Sequence, residues 1–522
     1  MAKGALAVVL HAHLPYVRSV RPGSLEEDWF FQALIECYLP LLEMLEQAAS
    51  DPGSKPKITI GLSPTLLSLL SDADLKQRFP VWLEQRLRLL PQADSALREA
   101  ADHLQQSFQR HREAWTNCNG DLIARFADLQ RHQIVDLLTC AATHGYLPLL
   151  RHHPETVRGQ LRTAVREHQR LIGERPLGIW LPECAYYEGL DYWMRDAGLR
   201  YAVLDAHGLL HAKPRPRYGV YAPICSRNGV AFFGRDSEAT LPVWSAKDGY
   251  PGDSAYREFH RDLGWDLPSE QLASLGLAHS RPLSLKLHRV TDHGVALDRK
   301  QPYQPKVAAE RVKQHALHYL QGRREQLNQL SAAMDGSPLL VAPFDAELFG
   351  HWWFEGPAFL GELFRQGEEQ GLTFTHLRDV LTRSDQLQLC DPCPSSWGQG
   401  GYHNYWLNET NAWIVPEWGR AGEAMVRRCS RGVGRESDLD LLRQAARELL
   451  LMQSSDWSFI LRAGTTTELA KQRIERHLNR FWCLMDAIEN RTDVEEGWLS
   501  DVKADDRLFP MIHPLDWAKV GS

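Results

Sequence analysis

Short apolar or β-rich runs recur along this chain: "ALAVVL", "KITIGL", "GIWLPE", "YAVLDA", "VAFFGRD", "LSLKLHR", "LLVAPFDAE" and "LTFTHL". Helical, charged sequence separates them. Strands that alternate with helices read as βα units, whose crossovers favour parallel pairing. The expectation is an α/β fold closed into a barrel of seven or eight strands. The spacing is uneven, however. More than a hundred helical residues separate "KITIGL" from "GIWLPE", which reads as a helical insertion. After about residue 395 the β-rich runs stop, and "DLDLLRQAARELLLMQSSDWSFIL" and "ELAKQRIERHLNRFWCLMDAIEN" carry apolar residues at three- and four-residue spacing. The expected division is a barrel over 1–85 and 155–395, an insertion over 86–154, and an all-α C-terminal domain over 396–522 that contributes to the same cleft.

Composition removes several classes of function. With 59 basic and 66 acidic side chains spread evenly, the chain has no block suited to tracking phosphates, so nucleic acid is not an expected partner. No stretch reaches the length of a membrane span. The apolar start after Lys3 imitates a leader but is too short and breaks at His11. Nine cysteines, an odd number, fit a reducing compartment, and the expected location is the cytoplasm. Cys390 and Cys393 have the spacing of a zinc knuckle but lack a second pair.

The chemistry starts where strands end. His11 and His13, in "LHAHLPY", are two residues apart and would leave the first strand on one face. They are either metal ligands or hydrogen-bonding groups lining a substrate cleft. Glu183 in "WLPECAY" and Asp345 in "PFDAELFGHWW" each follow an apolar run, at the rim where parallel barrels place their chemistry. A facing pair of carboxyls is the minimal apparatus for cleaving a glycosidic bond. The 17 tryptophans offer flat rings for sugar faces.

Read in order, "HAHLPY", "WLPECAY", "FGRD", "GYPGD" followed by "YREF", "FDAELFGHWW", "SSWGQGG" and "SSDW" resemble glycoside hydrolase family 57, and within it the α-1,4-glucan branching enzymes with a helical C-terminal domain. The resemblance covers nearly the whole chain. It implies a distorted (β/α)7 barrel, retaining chemistry on α-1,4-glucan donor and acceptor chains, and no required metal or cofactor. It also implies that Glu183 is the nucleophile and Asp345 the general acid/base. Glu183 should then stay ionised while Asp345, desolvated by the aromatics that follow it, is protonated. Retention asks for the two carboxyls to lie roughly 5 to 5.5 Å apart.

The same resemblance makes His11 and His13 donors to glucose hydroxyls. His144 is either a satisfied buried imidazole or a site residue, His351 is a candidate because it follows Asp345 closely, and Arg235 and Asp236, at a strand end, are either an ion pair or, as their place favours, polar contacts to sugar. It places Trp29, Trp265, Trp397 and Trp406 among the glucan-binding rings and leaves Trp180 and Trp482 to the core. Asp456 and Arg257 are expected to reach the cleft. Tyr250, flanked by glycines and a proline, is expected at the tip of a mobile lid. His288 and Asp292 depart from the family pattern. The alternatives are a 4-α-glucanotransferase or amylase of the same family, a zinc hydrolase or deacetylase using the histidines with Asp345 or His351, and a glucan-binding protein without activity.

Overall fold

The computed structural model describes residues 4–519 apart from 246, 278, 385, 433 and 434. Nine strands form one sheet: β1 (Ala5–Ala12), β2 (Ile58–Leu62), β3 (Val135–Cys140), β4 (Gly178–Trp180), β5 (Tyr201–Leu204), β6 (Ile224–Cys225), β7 (Ala231–Gly234), β8 (Leu339–Asp345) and β9 (Gln388–Leu389). Their order is β8-β1-β2-β3-β4-β5-β7-β6-β9. The first seven of that order are parallel throughout, and β6 is antiparallel to β7. The two ends of the parallel run, β7 and β8, meet without a ladder. There the amide of Asp236 donates to the carbonyl of Val341 at 2.9 Å, so the barrel is distorted on this side.

Alternation along β1 shows how the barrel is filled. Leu6, Val8 and Leu10 pack outward into the core shared with the helices, while Ala7 and Val9 belong to a separate interior cluster with Leu138, Trp180, Val203, Phe233 and Val341. His11 continues that interior face and caps it. Its register neighbours are Gly61 on β2 and Asp345 on β8.

Six of the eight β-rich runs are strands, and the other two are not. In "LSLKLHR" the chain is buried but turns at Ser284, whose backbone is left-handed (φ 63°), and the amides of Leu283 and Leu285 donate to the carboxylate of Asp262, so no ladder forms. "LTFTHL" makes a single bridge, Phe374 to Leu6. The seventh parallel strand is β3, which lies inside the 86–154 stretch expected to be a helical insertion. That stretch does carry helices Arg98–Asn117 and Leu122–Arg131, but β3 pairs with β2 and β4 in mid-sheet. Its run of consecutive buried residues has no alternation to mark it as a strand.

The C-terminal helices Ile414–Cys429, Glu436–Met452, Ser455–Ala463 and Thr467–Asn490 pack on the carboxyl-end rim of the barrel. The amide of Ser455 donates to the carbonyl of His144 at 3.1 Å, which fixes the start of the third of these helices beside the strand ends. Arg18 clamps the other side, donating to Asp72 at 2.8 Å and to the carbonyl of Ala504 at 2.5 Å. Trp517, fully buried, lies against Gly159 on the barrel helix Pro154–Ile172, where a side chain would collide with the indole ring.

Candidate active site

Three imidazoles form the floor of the site. His11, His13 and His144 stack face to face with centroids 4.0 to 5.6 Å apart, and His11 lies flat on Trp180 at 4.7 Å. Ser63 caps the helix Pro64–Ser71 by accepting from the amide of Leu66, and its hydroxyl is also 2.8 Å from Nδ1 of His13. Nε2 of His13 meets Asp456 at 3.1 Å. His144 joins Nε2 of His11 at 3.0 Å and Ser455 Oγ at 2.8 Å. Burial and the neighbouring rings push His11 and His144 well below the ordinary imidazole range, so both are neutral. Both nitrogens of His13 and of His144 are thus engaged by protein, and His11 is 2% exposed. The three rings wall Asp456 and Glu183, and Nδ1 of His11, buried, has no hydrogen-bond partner among the described residues.

Glu183 follows β4 in a left-handed backbone conformation (φ 60°), as does His144 (φ 56°). For residues with a Cβ this region is costly, and such strain gathers at functional positions. Here it turns the carboxyl toward Trp397, whose indole N–H donates to Oε2 at 2.9 Å, and toward Ser455, whose hydroxyl donates to Oε1 at 3.4 Å. The loop of Trp397 is clamped in turn, since its amide donates to the carbonyl of Glu183 at 3.1 Å. Asp345 ends β8, and its carboxyl has no hydrogen-bond donor among the described residues.

Burial pushes both carboxyls up, Glu183 to about 8 and Asp345 to about 7, with each other's charge or that of Glu347 and Asp456 adding to it. This corrects the expectation that desolvation singles out Asp345. The site resists holding both charges, so near neutrality the pair carries a proton. The indole N–H of Trp397 opposes the upward shift of Glu183 without reversing it. Asp456 differs: burial opposes its ionisation, but His13 outweighs it and holds the carboxylate down to about 2.

A cleft of about 460 Å³ is lined by Trp29, Phe259, Trp265, Glu347, His351 and Trp352. Trp265 and Trp352 are half-exposed, and Phe259 stacks on Trp352 at 4.4 Å. Beneath them a π-helical turn, Leu34–Tyr38, presents two side chains. Glu36 binds Nδ1 of His351 at 2.5 Å and also Arg257 and Lys286 at 3.3 Å each. Against the cost of burial those cations hold it down to about 2. Tyr38 donates to Glu347 at 2.6 Å.

The structure thus gathers Glu183, Asp345, His11, His13, His144, Trp397 and Asp456 in one centre and Trp29, Trp265 and His351 along the cleft beside it. Arg235 stands at the rim, 3.3 Å from Asp205. Four expected contacts lie elsewhere. Asp236 turns inward, capping helix Ser237–Trp244 and accepting from Gln326 at 2.8 Å. Arg257 is buried over Phe354 and locked to Glu36. Trp406 is buried and stacks on Tyr146 at 4.6 Å. Tyr250 is packed among His315, Tyr319 and Phe359, with its hydroxyl 2.7 Å from His318, so it is not at a lid tip.

Trp180 is in the core as expected, while Trp482 is half-buried. Sequence reasoning missed Ser63, Ser455, Tyr38, Glu36 and Glu347. Only Glu347, two residues after Asp345, and Ser455, next to Asp456 in "SSDW", carried a signal. Two overlapping sets, His11/Cys140/His144 and His13/His144/Asp456, bring ligand atoms within 4.8 Å of one another and could hold a metal ion, as could Glu448/His477/Asp506 in the helical region. Neither set in the site includes Asp345 or His351, the ligands a zinc-hydrolase reading would use.

Comparison with known proteins follows the same lines. Residues 7–270 match the model of Glycosyl hydrolase family 57, and residues 417–517 match that of the 1,4-alpha-glucan branching enzyme C-terminal domain. The chain is 32% identical to the 1,4-alpha-glucan branching enzyme TK1436 of Thermococcus kodakarensis over 99% of its own length and 78% of that protein's. Among solved structures, the alpha-amylase AmyC from Thermotoga maritima superposes with a TM-score of 0.92 at 33% identity, covering 100% of both chains. The GH57-type branching enzyme from Pyrococcus horikoshii does so with a TM-score of 0.90 at 32% identity, covering 99% of this chain and 97% of that one.

Proposed function

The chain belongs to glycosyl hydrolase family 57, and on that premise we propose that it is a 1,4-alpha-glucan branching enzyme. It cleaves an α-1,4 bond with retention and passes the freed chain to a 6-hydroxyl of a second glucan, building branches into a glycogen-like polymer. The observation that carries this reading is the C-terminal segment: the residues that match a branching-enzyme domain also deliver Ser455 and Asp456 to the centre. Donor and acceptor are both α-glucan chains. Nine free cysteines support a reducing, cytoplasmic setting.

In this reading Glu183 attacks the anomeric carbon while Asp345 gives its proton to the leaving glycosidic oxygen. A covalent glycosyl-enzyme forms, and Asp345, now a carboxylate, takes the proton of the next nucleophile as that oxygen displaces Glu183. Trp397 and Ser455 steady the Glu183 carboxylate before attack and after release. Water as nucleophile makes an amylase, a 4-hydroxyl a 4-α-glucanotransferase, a 6-hydroxyl a branch.

The likeness to AmyC over the whole chain favours amylase as the second reading. Incubation with amylose, followed by proton NMR of α-1,6 linkages and assay of reducing ends, decides between them. Branch signals outnumbering new reducing ends are expected; reducing ends without α-1,6 signals would make the chain an amylase. Loss of activity on EDTA that zinc restores would point instead to a metal hydrolase.

A further inference from the structure

Glu347 stands beside the centre and has no part in the double displacement. Glu347 lies two residues beyond Asp345, on the short helical turn Ala346–Leu348, and lines the cleft with Trp265 and Trp352. Its Oε1 is taken twice, by the hydroxyl of Tyr38 at 2.6 Å and by the amide of His13 at 3.1 Å. Its Oε2 makes no hydrogen bond to a side chain among the described residues. Its own amide also donates to the carboxyl, and the side chain so held lines the cleft.

Location says what Oε2 meets. The acid/base of a retaining enzyme serves first the leaving oxygen and then the acceptor oxygen, so both lie on its side of the anomeric carbon. The cleft with the aromatic walls is lined by Glu347, two residues beyond Asp345, and not by Glu183, which accepts from Trp397. We propose that Glu347 is an acceptor-side specificity residue: Oε2 receives a second hydroxyl of the incoming glucan while its attacking hydroxyl faces Asp345, and the charge of Glu347 helps keep the proton on Asp345. The proposal rests on the branching reading.

A sugar spans the tryptophan wall and Oε2 together, and water gains nothing from the wall, so this contact favours transfer over hydrolysis. In the transfer step the acceptor oxygen bonds to the anomeric carbon, the bond to Glu183 breaks and leaves a carboxylate, and the acceptor proton goes to Asp345. Glu347 exchanges no atom.

Several charges face Asp345: Glu347 on its own turn, His13 after β1, Glu183 after β4, Arg235 after β7 and Asp456 on the C-terminal helix. Glu347 and burial are the leading influences that raise it, and Glu347 is itself pushed up to about 7 by burial.

The test compares the full chain with Glu347→Gln and Glu347→Asp, using amylose for the ratio of α-1,6 linkages to reducing ends and an activated glycoside for the pH profile. Glu347→Gln should lower the ratio on the order of tenfold, the usual consequence of losing a hydrogen bond to a charged group. It should also move the alkaline limb to lower pH, because Asp345 then loses its proton more readily. Glu347→Asp keeps the charge and so the limb, but its shorter reach lowers the ratio.

A folded Glu347→Gln enzyme with unchanged ratio and limb overturns the proposal. If Glu347→Gln does not fold, an unchanged ratio in Glu347→Asp does so. A parent enzyme that forms no α-1,6 linkage overturns the branching reading instead, and the limb still tests the effect of Glu347 on Asp345.

Discussion

Glu183 shows how a single position serves function against stability. Its left-handed backbone and largely buried carboxyl are costs the fold carries, and the burial has a pH signature. The folded carboxyl titrates near 8 and an unperturbed one near 4.5. The fold therefore favours the protonated form, and the stability associated with it is complete below 4.5 and lost as pH rises through 8, at about 1.4 kcal/mol per pH unit. Glu183→Gln keeps the shape without the charge. It should abolish both transfer and hydrolysis, retain glucan binding, and melt above the parent at pH 8, with the difference gone near pH 4. Calorimetry at the two pH values checks the stability, and azide rescue to the inverted glycosyl azide checks the role. An equal Tm at pH 8 would mean that the carboxyl is not buried at that cost.

Elements were legible in proportion to how local their signal is. The runs that end in His11, Glu183, Arg235 and Asp345 announce themselves because an apolar strand stops at a polar residue, and all four lie at the carboxyl-end rim. By contrast, β3 is a wholly buried run interrupted by Asp136 and Thr139 among helices, and "LSLKLHR" alternates like a strand yet gives its amides to Asp262. The C-terminal helix was visible by its spacing, but the reach of Asp456 to His13 is a pairing 443 residues apart that no local pattern encodes.

The segment around Tyr250 is the converse case. Its glycines and proline read as a lid, but the ring is docked against Phe359 and Tyr319 and its hydroxyl on His318. Tyr250→Ala should therefore cost about 3 to 5 kcal/mol, as expected when a buried aromatic is truncated. Branching and hydrolysis should fall together with Tm. A changed ratio at unchanged Tm would restore the lid.

At the scale of the whole molecule, the barrel and the C-terminal helices form one site and so must keep their docking. Gly159 is a joint between them, since Trp517 occupies the space its side chain would take. Gly159→Ala should lose about 1 to 3 kcal/mol, the usual cost of overpacking, and should weaken activity by loosening the segment that carries Ser455 and Asp456. Chemical denaturation together with the amylose assay measures both. The sheet order also has a temporal meaning. β1 is completed by β8, so His11 waits for Asp345 about 330 residues downstream. At the ~5 to 20 residues/s of ribosomal synthesis, roughly 15 to 70 s pass before that partner exists. During this interval one edge of an apolar strand stands open to any other chain, the ordinary route to aggregation. The barrel cannot close on a nascent chain shorter than β8, and the active centre cannot be complete before Asp456 emerges, so expression yield should depend on what shelters β1 in the meantime.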